Sequence, residues 1–192
     1  MQTRSTIRRA RKHLTQHLQR SYSKQICQRI QRLPLFRHSK HIAFYLPTQG
    51  EADPTPLLTT AQQLHKHCYL PVLHPLAQKR LWFVEYRPGD LLQYNQFRIA
   101  EPAVKGHKII KPWALDLVIT PVVAFDKHGH RLGTGMGYYD RSFAFVLSTP
   151  ALPRPKLIGL AYDFQQIDRL TPQHWDVPLD MVVTEKRLYQ MT

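Results

Sequence analysis

Long apolar runs are missing from the sequence, and cysteine is scarce. Each apolar stretch is far shorter than the about 18 residues that a membrane-spanning helix needs, so we expect no membrane partner. The chain of 192 residues has 2 cysteines, Cys27 and Cys68, which cannot form the disulfide framework of a small secreted domain. No apolar segment follows the N-terminal arginines, so we expect no secretory signal. These shortages favour a cytoplasmic protein whose thiols are reduced.

Acidic residues are absent from positions 1–50, which carry eleven lysines and arginines. The remaining positions hold 16 basic and 13 acidic side chains, so most of the net charge of +14 belongs to the N-terminal block. A block of this kind attracts polyanions, whether nucleic acid, a membrane surface or small nucleotides. A solvated helix face explains the same charges, and composition alone leaves these interpretations open.

Alternating helix and strand patterns predict the fold. Apolar residues recur every three or four positions from Ile7 to Ile30, which indicates an amphipathic helix that Thr15 can divide in two. Pro54 opens a further helix, and another covers about 138–147. Strands are predicted at 42–46, 68–73, 81–86, 117–120, 157–161 and 181–184. We therefore predict an α/β fold, a single three-layer domain over residues 1–192 with a mostly parallel sheet.

Glycine is also scarce, yet three of the eight glycines lie close together in one loop, at positions 133, 135 and 137. Glycine lets the backbone approach a ligand closely, and successive N–H groups in such a loop can hold an anion. Arg131 adds a bidentate fork for phosphate, and Asp140 adds an oxygen ligand suited to Mg²⁺. The loop fits neither the P-loop pattern nor the dinucleotide fingerprint, because Tyr138 stands at the third glycine position. The pattern predicts a phosphate and magnesium site of another type.

A carboxylate lies on a second loop that follows a predicted strand. Glu51 comes after the strand at 42–46, a proline and Gly50, so we expect it at the carboxyl end of the sheet. A carboxylate can accept two hydrogen bonds from the adjacent ring N–H and amino groups of a pterin. The pairs His65-x-His67 and His128-x-His130 have no third or fourth ligand at a recognisable spacing, so we assign them no metal.

The segment 125–140 reads F-D-x-x-G-x-R-L-G-x-G-x-G-Y-Y-D. In this string the chain resembles the 5-formyltetrahydrofolate cyclo-ligase family, also called methenyltetrahydrofolate synthetases. Phe-Tyr-Leu-Pro at 44–47, Gly-Glu-Ala-Asp at 50–53, Glu-Pro at 101–102 and the segment 175–180 match in order. The start with Arg4 and Arg8 is similar to the family's K-x-x-x-R segment, although arginine replaces the usual lysine at position 4. The resemblance covers about residues 4–184.

The resemblance implies a Rossmann-like topology and the ATP- and Mg²⁺-dependent closure of 5-formyltetrahydrofolate to 5,10-methenyltetrahydrofolate. It assigns Leu46 and Glu51 to the folate and Asp140 and Asp176 to Mg²⁺, although the motif around Asp176 is short and a loop cap explains it equally. Met136 falls in a variable slot of the motif. The residues assigned to ATP are Arg4, Arg8, Arg131, Leu132, Gly133, Thr134, Gly135, Met136, Gly137, Tyr138 and Tyr139, of which Arg131 and Tyr138 are the catalytic candidates.

Two other classes of protein compete with this interpretation. A nucleic-acid-binding module explains the basic block, but aromatic residues do not alternate with its charges and no known binding motif occurs. A sugar-phosphate or acyl-CoA enzyme on a similar scaffold explains the glycine loop but neither the pairing of Arg131 with Asp140 nor Glu51. We therefore expect a monomer that acts on small-molecule substrates and has no nucleic-acid partner.

Overall fold

The computed structural model describes residues 4–77, 79–148 and 154–191. Its helices are α1 (Arg4–His13), α2 (Gln16–Gln31), α3 (Pro34–His38), α4 (Thr55–Gln63), α5 (Tyr138–Ser142) and α6 (Phe145–Ser148). Its strands are β1 (His41–Ala43), β2 (His67–Leu73), β3 (Leu81–Glu85), β4 (Leu92–Tyr94), β5 (Ala100–Pro102), β6 (Ile109–Ile110), β7 (Leu117–Pro121), β8 (Ala124–Phe125), β9 (Arg131–Leu132), β10 (Lys156–Leu160), β11 (Met181–Val183) and β12 (Leu188–Gln190).

Eight strands in the described part of the chain form one sheet, in the order β12-β11-β10-β7-β1-β2-β3-β6. The five strands from β11 to β2 are parallel, whereas β12 at one edge and the pair β3 and β6 at the other are antiparallel. Two small antiparallel pairs, β4 with β5 and β8 with β9, lie outside the sheet. The predicted α/β fold with a mostly parallel sheet is therefore confirmed, and the antiparallel edges were not predicted.

Both faces of the sheet are covered, as the apolar run in β7 predicted. Leu117 and Ile119 point to the face where α2, α3 and α4 pack, and Val118 points to the face of α5 and α6. All three side chains are fully buried, and each contributes about 1.5–3 kcal/mol through removal from water. The sheet is therefore the middle of three layers.

Two details of the helix prediction have different outcomes. Thr15 divides the N-terminal helix as predicted, because its Oγ1 accepts a hydrogen bond of 3.3 Å from the Leu18 N–H at the start of α2. The single helix predicted at 138–147 is wrong, since the chain forms the short helices α5 and α6 there. The chain breaks at Phe143, whose fully buried ring packs against Phe83 with the ring centroids 5.5 Å apart.

The loops after the parallel strands converge at one edge of the sheet. The segment 44–53 follows β1, and the segment 122–137 follows β7 and contains the short β8–β9 hairpin. In parallel α/β sheets, ligands bind at the carboxyl ends of the strands, so the fold brings both predicted ligand-binding loops to this edge. Among the described residues, no helix is both long and apolar enough to cross a membrane.

Candidate functional site

A cleft of about 1510 Å³ opens at this edge of the sheet. A typical small-molecule pocket has about 300–1,000 Å³, so this cleft has room for two ligands. Every residue that the sequence analysis assigned to a ligand lines it, namely Arg4, Arg8, Leu46, Glu51, Asp140, Asp176 and the loop 131–139. The fold thus brings together residues that lie more than a hundred positions apart in the chain.

Helix α1 presents a row of arginines to the cleft. Arg4, Arg8 and Arg11 are four and three positions apart, which places them on one face of the helix. Ile7 is buried between them against Val123 and fixes the helix to the domain. Arg4 Nε donates a hydrogen bond of 3.0 Å to the carbonyl oxygen of Gly133, so this helix contacts the glycine loop directly. The basic residues of α2 do not line the cleft.

A tight turn after β1 orients Glu51. Gly50 has φ +73°, and a Cβ there would approach the Arg11 carbonyl oxygen to 3.3 Å. The Glu51 N–H donates to the Thr48 carbonyl oxygen at 3.0 Å. In return, Glu51 Oε2 accepts hydrogen bonds from the Thr48 N–H at 3.0 Å and the Thr48 hydroxyl at 3.2 Å. The turn therefore fixes one carboxylate oxygen of Glu51, and the glycine is required for that turn.

Arg11 is a site residue that the sequence analysis missed. Its side chain is 1% exposed, and its Nη1 lies 3.7 Å from Glu51 Oε1. Burial lowers the pKa of Arg11, and the Glu51 charge opposes this shift. Burial also raises the pKa of Glu51, against the hydrogen bonds from Thr48 and the charge of Arg11. The spacing from Arg4 and Arg8 was an available signal, because Arg11 continues the same helix face.

The glycine loop has the backbone conformations that its sequence predicts. Gly135 and Gly137 have φ +99° and +67°, values that favour glycine. Arg141 Nη1 donates to the carbonyl oxygens of Met136 at 2.9 Å and Gly137 at 3.2 Å. These bonds turn the carbonyl groups toward Arg141.

The Arg131 side chain lies inside the protein at the end of this loop. Its Nη2 donates to Asp140 Oδ1 at 2.5 Å, and its Nη1 donates to the Val177 carbonyl oxygen. The Val177 N–H also donates to Asp140 Oδ1, at 3.2 Å. Burial lowers the pKa of Arg131, and the charge of Asp140 opposes this. Both terminal nitrogens of Arg131 are thus engaged by the protein in this structure.

Two tyrosines at the end of the glycine loop, Tyr138 and Tyr139, line the cleft. The Tyr138 ring packs edge-on against Phe97 of the β4–β5 connection, with the centroids 6.0 Å apart. Tyr139 lies within electrostatic range of Glu51 and Arg131, and burial raises its pKa further than the Glu51 charge does. Tyr139 therefore lies in the cleft near both the glycine loop and Glu51.

The carboxylates predicted to bind Mg²⁺ already have partners within the protein. Asp176 Oδ2 accepts a hydrogen bond of 2.8 Å from the Gln173 N–H, which is the loop cap foreseen as the alternative. Asp140 uses Oδ1 for Arg131 and Val177. Within the described ranges, no three or more His, Cys, Asp or Glu side chains form a group that could hold a metal. The donor set fits Mg²⁺, which binds one or two carboxylates and takes its other ligands from phosphates and water.

A mostly parallel α/β domain with an arginine-rich cleft at the strand ends is typical of enzymes that bind phosphorylated ligands. The sequence model of the 5-formyltetrahydrofolate cyclo-ligase family matches residues 1–185, and the chain belongs to this family.

Two curated relatives and one solved structure are similar along almost their whole length. The 5-formyltetrahydrofolate cyclo-ligase of Haemophilus influenzae is 38% identical over 178 residues, 93% of each chain. That of Escherichia coli K12 is 35% identical over 184 residues, 96% of this chain and 99% of the relative. The NMR structure of 5,10-methenyltetrahydrofolate synthetase from Aquifex aeolicus has a TM-score of 0.81 at 32% identity, and the match covers 98% of this chain and 90% of that chain.

Proposed function

We propose that this protein closes 5-formyltetrahydrofolate to 5,10-methenyltetrahydrofolate with ATP and Mg²⁺ and releases ADP and phosphate. The supporting observation is that Glu51 and the glycine loop line one cleft large enough for both substrates. The protein acts in the cytoplasm as a monomer of one domain, residues 1–192.

The chemical difficulty is that the formyl group on N5 is an amide, whose oxygen is a poor leaving group. Transfer of the γ-phosphoryl group of ATP to this oxygen gives an imino-phosphate and ADP. N10 then attacks the activated carbon, the C–O bond breaks, and phosphate leaves as the ring closes and N10 loses its proton. No side-chain nucleophile is needed, so the residues mainly position the substrates and balance phosphate charge.

The arginine face of α1 and the glycine loop hold ATP in this proposal. Arg4 and Arg8 neutralise the phosphates, and N–H groups of residues 131–139 donate to phosphate oxygens. Arg131 contributes its positive charge to the same end of the cleft while its terminal nitrogens orient Asp140 and Val177. Tyr138 forms the wall against which the reacting groups are placed.

The folate lies toward β1, where Glu51 accepts hydrogen bonds from the pterin and Leu46 packs against it. Asp140 and Asp176 would hold Mg²⁺ through the oxygens that their present bonds leave available. When bound, Mg²⁺ shields the phosphate charges and favours departure of ADP.

The direct test is growth of the near-ultraviolet absorbance of the methenyl product when protein, Mg·ATP and 5-formyltetrahydrofolate are mixed, with one ADP formed per product. Substitution Glu51→Gln should raise the folate KM roughly ten- to a hundredfold, because a charged hydrogen bond contributes about 1.5–3 kcal/mol. The ATP KM should change little.

Glu85 provides a matched control, since it is a buried glutamate that pairs with His67 and Arg87 and does not line the cleft. The Glu85→Gln protein should keep the folate KM of the wild type. Absence of the methenyl product with the folded wild type would refute the proposed function, and equal effects of both substitutions would refute the role of Glu51.

A further inference from the structure

Arg11 is almost completely buried, yet part of its hydrogen-bonding capacity is unused. Its side chain is 1% exposed, and its Nε and Nη1 have no hydrogen-bond partner among the described residues. A buried donor without a partner destabilises a protein, and a charged donor does so more strongly. Arg11 lines the cleft, so a ligand there can supply the missing acceptor.

The polar groups around Arg11 either lie too far away for a hydrogen bond or form hydrogen bonds with other residues. The distance of 3.7 Å between Arg11 Nη1 and Glu51 Oε1 exceeds the 2.7–3.2 Å of an N–H···O hydrogen bond. The Tyr45 hydroxyl donates to the Ala52 carbonyl oxygen, and the Tyr162 hydroxyl donates to the Glu51 carbonyl oxygen at 3.4 Å. Arg11 therefore keeps free donors directly beside a carboxylate oxygen.

Glu51 completes a two-part recognition surface. Its Oε2 is occupied by Thr48, whereas Oε1 faces Arg11 without a bond of hydrogen-bond length. The wall of the cleft thus presents an acceptor and a donor side by side. The complementary ligand edge has an N–H donor next to a carbonyl oxygen, which is a cyclic amide.

We propose that Arg11 binds the C4 carbonyl oxygen of the pterin ring while Glu51 accepts from the adjacent ring N–H. This inference rests on the proposed function and deepens it, because it makes Arg11 a specificity-determining residue of the folate site. A pterin with an amino group at C4 directs a donor at the donors of Arg11 and loses the ring N–H that Glu51 needs. The site therefore selects 4-oxo over 4-amino pterins.

Folic acid and its 4-amino-4-deoxy analogue differ in this edge alone and test the inference directly. Their dissociation constants are measured by titration of the full-length protein without ATP, so that no turnover is required. The wild type should bind folic acid at least tenfold more tightly than the 4-amino analogue. In Arg11→Met this ratio should fall to about one, mainly through weaker binding of folic acid, because methionine fills the space without donors.

Two further variants serve as a control and as a conservative substitution. Arg20→Met removes an exposed arginine of α2 outside the cleft and should keep the wild-type ratio. Arg11→Lys keeps the buried charge but not the fork and should give an intermediate ratio, so it decides the question if Arg11→Met does not fold. If Arg11 only supports Glu51, both pterins weaken by the same factor, and the inference is overturned.

The pterin titration and the cyclisation assay can fail independently of each other. A protein that discriminates between the two pterins through Arg11 but does not cyclise 5-formyltetrahydrofolate would keep this inference and end the proposed reaction. A wild type that cyclises the substrate but binds both pterins equally would keep the reaction and overturn the role of Arg11.

Discussion

Two arginine–carboxylate pairs with buried arginine side chains line the same cleft, and they differ in how the protein completes them. In the pair of Arg131 and Asp140 the atoms are 2.5 Å apart, and the backbone of Val177 adds a bond to each partner. In the pair of Arg11 and Glu51 the atoms are 3.7 Å apart, and two nitrogens of Arg11 lack hydrogen-bond partners among the described residues. We call the first the closed pair, because the protein itself completes its hydrogen bonds. We call the second the open pair, because it leaves hydrogen-bonding groups for a ligand.

The pairs also differ in how the chain assembles them. Arg131 and Asp140 stand nine positions apart in one loop, so a local segment fixes both. Arg11 comes from α1 and Glu51 from the turn after β1, so tertiary packing brings them together. Buried ion pairs stabilise a fold weakly, because desolvation opposes the attraction of the charges. This comparison suggests that the closed pair holds the loop in place and that the open pair contributes mainly to recognition.

The largest effect should follow from breaking the closed pair. Arg131→Met leaves Asp140 and the Val177 carbonyl oxygen without their donor, and loss of one partner of a buried pair costs about 3–5 kcal/mol. Because Asp140 is 22% exposed, we expect the lower end, about 3 kcal/mol, in the free energy of unfolding measured with denaturant.

A surface pair provides the control for this substitution. Lys186 lies 3.3 Å from Asp163 and is 65% exposed, so Lys186→Gln should change the stability by less than about 1 kcal/mol. If both substitutions change the stability equally, the closed pair does not stabilise the loop.

The next effect concerns the coupling between Arg11 and Glu51. Arg11→Met and Glu51→Gln each leave one group of the open pair without its partner, whereas the double variant removes both. The double variant should be more stable than the sum of the two single effects predicts, by about 1–2 kcal/mol. A double-mutant cycle by denaturant unfolding measures this difference, and a coupling near zero would show that the two residues do not interact in the free protein.

The pH dependence of folate binding should distinguish the open pair as well. Burial raises the pKa of Glu51. Below this pKa the side chain is protonated, and the oxygen that would accept from the pterin carries a hydrogen instead. The folate KM should therefore rise up to about tenfold per pH unit below the raised pKa. The stability of the fold should depend on pH in the opposite direction. The contribution of the neutral Glu51 carboxyl to the free energy of unfolding is complete below the pKa of the unfolded state and is lost as the pH rises through the raised pKa of the folded state.

Steady-state folate KM values between pH 5 and 8 check this prediction, with Glu51→Gln as the reference. The variant should lack the steep rise, since glutamine does not titrate. Parallel profiles in both proteins would assign the pH dependence to the substrate or to another residue.

The sequence predicted those parts of the fold that depend on local patterns. The apolar run in β7 and the cap at Thr15 were enough for a covered strand and a divided helix. The edge strands β6 and β12 are two and three residues long, too short for a periodic signal. The break at Phe143 was missed because packing against Phe83 overrides the helical pattern of the segment.

The candidate site shows the same division. Residues within one motif, such as Arg131, Gly137 and Asp140, were predicted together because the chain itself fixes their spacing. Arg11 was missed because its importance comes from burial beside Glu51, and burial depends on how α1 packs. The hydrogen bond from the Arg131 guanidinium group to the Val177 carbonyl oxygen was not predicted either, because Val177 belongs to a loop that is distant in sequence.

The smallest effect should come from Gly137, which begins α5 and thereby positions Asp140 of the closed pair. Gly137 has φ +67°, and a Cβ there would collide with the end of the Arg141 side chain, which donates to the Met136 and Gly137 carbonyl oxygens. Gly106 has φ +84° in a turn outside the cleft, where a Cβ would have no atom of the described residues within 4 Å. Alanine at either position should lower the stability by about 1 kcal/mol, because both take up a left-handed conformation. Gly137→Ala alone should also raise the ATP KM, since displacement of Arg141 frees the loop that holds the phosphates in our proposal. Unfolding and steady-state kinetics of both variants separate the two contributions. An unchanged ATP KM in Gly137→Ala, with a stability loss equal to that of Gly106→Ala, would mean that the loop conformation does not determine ATP binding.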